Sequence, residues 1–90
     1  VDQTGARNTS TVTQSGLNAS TTVTQTNLAA QVGNTSTVTQ SGIDSDTEVI
    51  QTGSLNTSTL TQSGFDAVAV ISQDGTSNFS SASETGAGSD

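Results

Sequence analysis

Cysteine, proline, methionine, tryptophan, tyrosine and histidine are all missing from this chain, and Arg7 is its one cationic side chain. Without cysteine there is no disulfide framework and no thiolate metal site, and the redox compartment stays open. Without His, Cys, Lys or Tyr there is no ready base or nucleophile. The many Ser and Thr hydroxyls then have nothing to activate them, so neither enzyme action nor a cofactor is expected. One arginine against eight acids, a net charge of -7, cannot neutralise phosphates, which excludes nucleic acid as a partner. No run approaches the roughly 18 to 20 apolar residues of a membrane-spanning helix, so no membrane insertion is expected. With 28% hydrophobic residues, two of them Phe, a 90-residue chain has too little for a conventional globule built on large side chains. Low hydrophobicity with net charge normally reads as disorder.

What is present argues against disorder. NTSTVTQSG at 8–16 recurs letter for letter at 34–42, and as NTSTLTQSG at 56–64. Glutamine falls at Gln3, Gln14, Gln25, Gln40, Gln51, Gln62 and Gln73, with Glu84 in the next slot; the step is eleven, except for fifteen between Gln25 and Gln40. Two residues after each slot comes glycine, at Gly5, Gly16, Gly42, Gly53, Gly64, Gly75 and Gly86, with Asn27 as the single substitute. Asn is the next most tolerant residue at positive φ, so a tight turn is expected at every one of these sites. Two residues before each slot sits an aliphatic: Val1, Val12, Val23, Val38, Val49, Leu60, Ile71 and finally Ala82. Four before it sits a small residue: Ser10, Thr21, Ser36, Thr47, Ser58, Ala69 or Ser80. Spacing by two puts these side chains on one face of a strand and the intervening residues, mostly Thr, on the other. Each unit is therefore a short strand followed by a turn.

A longer period is superimposed. Asn six before the slot occurs only in alternate units, at Asn8, Asn34, Asn56 and Asn78; the others carry Ala19, Ser45 and Ala67. Two strand types alternate, so the repeat is 22 residues long, strand-turn-strand-turn. The expected fold is all-β, a β-solenoid of such repeats with two parallel cross-β sheets, each gaining a strand per rung at about 4.7 to 4.9 Å. The units are about 1–14, 15–40, 41–62 and 63–84, with an enlarged loop at 26–33 and a flexible acidic tail at 87–90. Identical amides in register can hydrogen-bond from rung to rung, so a polar interior is satisfied by ladders of its own kind. The Gln and Asn columns, the Ser10, Ser36 and Ser58 column and the aliphatic column are the candidate working residues. A carboxylate in a Gln ladder costs free energy unless protonated or near water, so Glu84→Gln is expected to speed assembly near neutral pH.

These residues resemble the curlin repeat proteins, whose major subunit forms the curli amyloid fibre of bacterial biofilms. The family skeleton Ser-x5-Gln-x-Gly-x2-Asn-x5-Gln is matched in full by Ser45, Gln51, Gly53, Asn56 and Gln62. Partial copies are Gln3, Gly5, Asn8 and Gln14, and Gln73, Gly75 and Asn78 with Ala67 and Glu84 at the outer positions. In the remaining copy Ala19 replaces Ser, Asn27 replaces Gly, and the loop stretches the spacing to Asn34. The resemblance implies a secreted homopolymer at the cell surface, nucleation by a minor subunit and export by dedicated secretion machinery. The chain starts in mid-repeat at Val1, as a mature product without its leader would, and as a truncation would.

The same residues admit other readings. Asp44, Asp46 and Glu48 cluster as Ca²⁺ ligands would, but lack the pattern of an EF-hand or a β-roll, and a solvated acidic turn fits better. Sequons at Asn8, Asn34, Asn56 and Asn78 belong to the inward ladder and Asn18 makes a fifth; they read as by-products of the repeat. Outward Thr11 and Thr13, Thr37 and Thr39, and Thr59 and Thr61, continued by Ser81 and Ser83, would stack into a flat array of the kind that binds ice; the alternative is that Thr favours strands. No helix, proline or charge cluster caps the first rung, which points to head-to-tail addition of further copies.

Overall fold

The computed structural model describes residues 1–28, 30 and 32–88. Eight strands alternate between two sheets: β1 Asp2–Thr4, β2 Thr9–Gln14, β3 Ser20–Thr26, β4 Thr35–Gln40, β5 Asp46–Ser54, β6 Thr57–Gln62, β7 Val68–Thr76 and β8 Phe79–Glu84. One sheet has the order β1-β3-β5-β7 and the other β2-β4-β6-β8, and every pairing is parallel. The molecule is a β-solenoid of four rungs, each contributing one strand to each sheet. Alternating Thr and Val suit it because branched side chains fit a pleated surface covered on one face.

Like pairs with like. Gln3 lies beside Gln25, Gln25 beside Gln51 and Gln51 beside Gln73; on the other sheet Gln14, Gln40, Gln62 and Glu84 align, as do Val12, Val38, Leu60 and Ala82. Partners are 22 residues apart except across the segment between β3 and β4, where they are 26 apart. After this longer step the register resumes without a slip. Of that segment, Ala29 and Gln31 lie outside the described residues.

The interior is half oil and half amide. Val23, Val38, Val49, Leu60, Ala69 and Ile71 form the apolar cluster, with Val12 and Ala82 packed at its two ends. Beside it Gln25, Gln40, Gln51 and Gln62 are fully buried, at 0% exposure. Burial decays toward both ends, where Gln3 and Gln14 are exposed and Glu84 is half-buried.

The corners correct one expectation. After β1, β5 and β7, Gly5, Gly53 and Gly75 do adopt φ of 100°, 107° and 110°, yet Gly53 and Gly75 still pair inside the strands, and the chain turns at Arg7, Leu55 and Ser77 with φ of 61°, 59° and 62°. After β2, β4 and β6 the positive φ belongs to Asn18, Asp44 and Asp66, and Gly16, Gly42 and Gly64 are not among the positive-φ residues. Glycine is needed there for a different reason. A Cβ on Gly42 would overlap the carbonyl oxygen of Gly64 in the next rung, and Gly16 and Gly64 meet Gly42 and Gly86 in the same way. Asn27 does not take positive φ either. With four more residues before β4 the chain need not turn tightly, and Asn27 is buried instead, its N–H donating to Thr4 O at 3.0 Å and its Nδ2 to Ala6 O at 2.9 Å.

Of the segment 87–90, Ala87 pairs with Phe65 and the Gly88 N–H donates to Phe65 O at 2.7 Å, so the corner stack runs this far. Ser89 and Asp90 lie outside the described residues. Among the described residues no helix is long and apolar enough to cross a membrane.

Candidate functional site

The ladders are directional. In the first sheet Gln3 Nε2 donates to Gln25 Oε1 at 2.6 Å, Gln25 to Gln51 at 2.7 Å and Gln51 to Gln73 at 2.7 Å. In the second, Gln14 donates to Gln40 at 2.8 Å, Gln40 to Gln62 at 2.9 Å and Gln62 to Glu84 Oε2 at 3.2 Å. Every amide nitrogen points toward the C-terminal rung. Stacked identical amides must all point one way, because each oxygen then meets a nitrogen.

The remaining amide protons tie the sheets together. Gln25, Gln51 and Gln73 each donate at 3.0 Å to a backbone carbonyl of the opposite sheet, at Thr9, Thr35 and Thr57. On the other side a hydroxyl relay runs between rungs. Gln14 Nε2 donates to Thr21 Oγ1, which donates to Gln40 Oε1; Gln40 donates to Thr47 Oγ1, which donates to Gln62 Oε1. In the fourth rung that position is Ala69, so no hydroxyl joins Gln62 to Glu84. Sequence reasoning grouped Thr21, Thr47 and Ala69 only as small inward residues. The relay depends on the offset between the sheets, which one strand's pattern does not contain.

Ala69→Thr should restore the relay, since Thr47 fits the equivalent slot one rung earlier. The expected gain is about 1 kcal/mol, seen as a higher urea midpoint with an unchanged slope. An unchanged or lower midpoint would show that the fourth rung does not have the room or geometry of the third.

The Asn column clamps the other corner. The N–H groups of Asn34, Asn56 and Asn78 donate to Oδ1 of the Asn one rung earlier at 3.0, 3.1 and 3.1 Å. Their Nδ2 groups hold the end of the preceding strand, as in Asn56 to Thr52 O at 2.9 Å and Asn78 to Asp74 O at 2.8 Å. Asn34 and Asn56 are fully buried, so a glycan has no access to them.

The serine column is less complete. Ser58 Oγ donates to Ser36 Oγ at 3.2 Å, whereas Ser10 Oγ, at the first rung, is buried without a hydrogen-bond partner. The acids singled out from the sequence do not converge. Asp44 accepts from Asn18 Nδ2 at 3.0 Å, and among the described residues no three acids are grouped to hold a metal ion. The outward Thr11, Thr37, Thr59 and Ser81 align, as do Thr13, Thr39, Thr61 and Ser83.

At each end of the stack two strands have an open edge. Thr9 and Ser15 donate their N–H groups into the second rung, to Asn34 O at 2.8 Å and Gln40 O at 2.9 Å. Alternation along a strand therefore turns the N–H groups of Ser10, Val12 and Gln14 outward. At the far end Thr57 and Ser63 donate to Asn78 O and Glu84 O, so by the same alternation β8 turns outward the N–H groups of Phe79, Ser81 and Ser83. The two open edges carry matching patterns.

A family model described as the curlin associated repeat matches residues 1–26 and 42–75. No curated protein and no solved structure matches the chain.

Proposed function

The chain belongs to the curlin repeat family, and from that premise we propose that it is the structural subunit of a curli-like extracellular amyloid filament, built by stacking copies head to tail. The observation that carries the reading is the match between the two open edges. Continuing the observed register places Gln3 of one copy beside Gln73 of the next, Asn8 beside Asn78, and Thr9–Gln14 beside Phe79–Glu84. Gln73 Nε2 would then donate to Gln3, and the Asn8 N–H to Asn78 Oδ1. Ser10 Oγ would meet Ser80, relieving the one orphaned serine. The Gln column of the first sheet and the Asn and aliphatic columns thereby run through the interface unbroken, and the function is mechanical: a resistant thread for biofilm matrix, adhesion or surface attachment. A nucleating subunit and secretion machinery are the partners the family suggests.

The experiment is negative-stain microscopy with fibre diffraction on the purified chain, kept without denaturant. Unbranched filaments with a meridional reflection near about 4.7 to 4.8 Å are expected. A chain that stays monomeric would overturn this reading. It would favour the two columns of outward threonine on β2, β4 and β6 as an ice-binding face, which an ice-recrystallisation assay would then test.

A further inference from the structure

We infer that a second copy of this chain docks on the C-terminal edge only together with a proton, taken up by Glu84 at the contact with Gln14 of the added copy. This rests on the end-to-end reading above and adds what controls it.

The argument is a count of donors. In the column Gln14, Gln40, Gln62 and Glu84 each amide donates to the next member, and Glu84 accepts at the end. Glu84 has nothing to donate as a carboxylate, and Gln14 already spends its nitrogen on Gln40 and Thr21, so its Oε1 faces the open edge. Stacking therefore brings a carboxylate oxygen against an amide oxygen. Turning Gln14 over does not help, because its oxygen would then oppose that of Gln40. Three amides and one carboxylate leave every copy one donor short, wherever the mismatch is placed. The other sheet has no such shortage, because its column is Gln3, Gln25, Gln51 and Gln73. Ala69 stands where Thr21 and Thr47 carry the hydroxyls that donate to Gln40 and Gln62, so no hydroxyl of the relay donates to Glu84.

A protonated carboxyl supplies the missing O–H. The side chains packed on Glu84 bring no positive charge. β6 faces it with Gln62, β7 with Ala69, and the adjoining turns bear Asp44 and Asp66. Asp46 opens β5 at this corner, and Asp74 lies at the far end of β7. In the added copy the continued register sets Val1, with its amino group, beside Ile71 and Asp2 beside Ser72, two and three residues along from Ala69, whereas Arg7 belongs to the opposite corner. The sign follows. The free edge leaves Glu84 half-exposed with no donor demanded of it, the docked edge demands an O–H, so docking binds one more proton and strengthens as pH falls.

The test is seeded elongation of the full chain, followed from pH 5 to pH 8 for three proteins: the natural sequence, Glu84→Gln and Glu48→Gln. Glu48 lies on the outer face of β5 between Thr22 and Val70, so its variant removes the same charge outside the columns. One proton per addition predicts that the natural chain elongates about tenfold more slowly for each pH unit above the titration of the carboxyl. Glu84→Gln should be fast and nearly flat, and Glu48→Gln should keep the natural slope. A Glu84→Gln profile as steep as the natural one, or a flat natural profile, would overturn the inference while leaving the filament standing. Absence of filaments in all three proteins at every pH would instead overturn the end-to-end reading itself.

Discussion

Val12→Pro should stop filament growth and leave the single chain folded. The Val12 N–H turns out of the first rung, away from β4, so replacing it removes no internal hydrogen bond. Proline is tolerated on such an edge strand. Its ring would project where β8 of the preceding copy must pair, and one interface donor would be gone. A penalty of about 3 kcal/mol corresponds to elongation roughly 100-fold slower. Leu60→Pro is the internal counterpart. Leu60 is in β6, its N–H directed toward β4 and its side chain in the dry cluster, so this change should unfold the monomer as well. Circular dichroism of the fresh monomer separates the two cases. Normal filaments from Val12→Pro would mean that copies do not meet through this edge.

Gly42→Ala should force the stack apart at one corner with a single methyl. The added carbon would overlap the carbonyl oxygen of Gly64, and backbone, unlike a flexible side chain, cannot swing aside. The rungs would have to separate at this corner, breaking the Ser41 N–H to Gln62 O and Ile43 N–H to Gly64 O bonds at 2.9 and 3.1 Å. Overpacking of this kind costs about 1–3 kcal/mol, read as a lower urea midpoint. Gly88→Ala makes a useful comparison, because nothing lies within 4 Å of the added carbon and only the φ of 64° opposes it. The prediction fails if Gly88→Ala destabilises as much as Gly42→Ala.

Gly42 and Gly53 mark the boundary of what could be read from the residues. Periodicity of Gln, Val and Asn specifies the alternation of strands, the side that faces inward and the parallel stacking, because each depends on spacing along one strand. The reason for a glycine does not. Gly42 and Gly53 occupy the same slot in the repeat and both need clearance from the next rung, yet only Gly53 also takes a positive φ, of 107°. Leu55 at φ 59° was still less legible, since leucine gives no local signal for that conformation and only the stacked corner holds it there. The sense of the amides was hidden for another reason: a glutamine column satisfies its bonds equally well pointing either way. The hydroxyls of Thr21 and Thr47 and the bonds from Asn34 to Asn8, from Asn56 to Asn34 and from Asn78 to Asn56 surround the columns with one fixed arrangement.

The long step between β3 and β4 has a consequence at a larger scale. It falls once in the four rungs of each copy. At about 4.8 Å per rung, a gapless thread would carry one such longer step every ~19 Å along an otherwise uniform side. Those steps would act as milestones, and counting them along the thread would count the molecules in it.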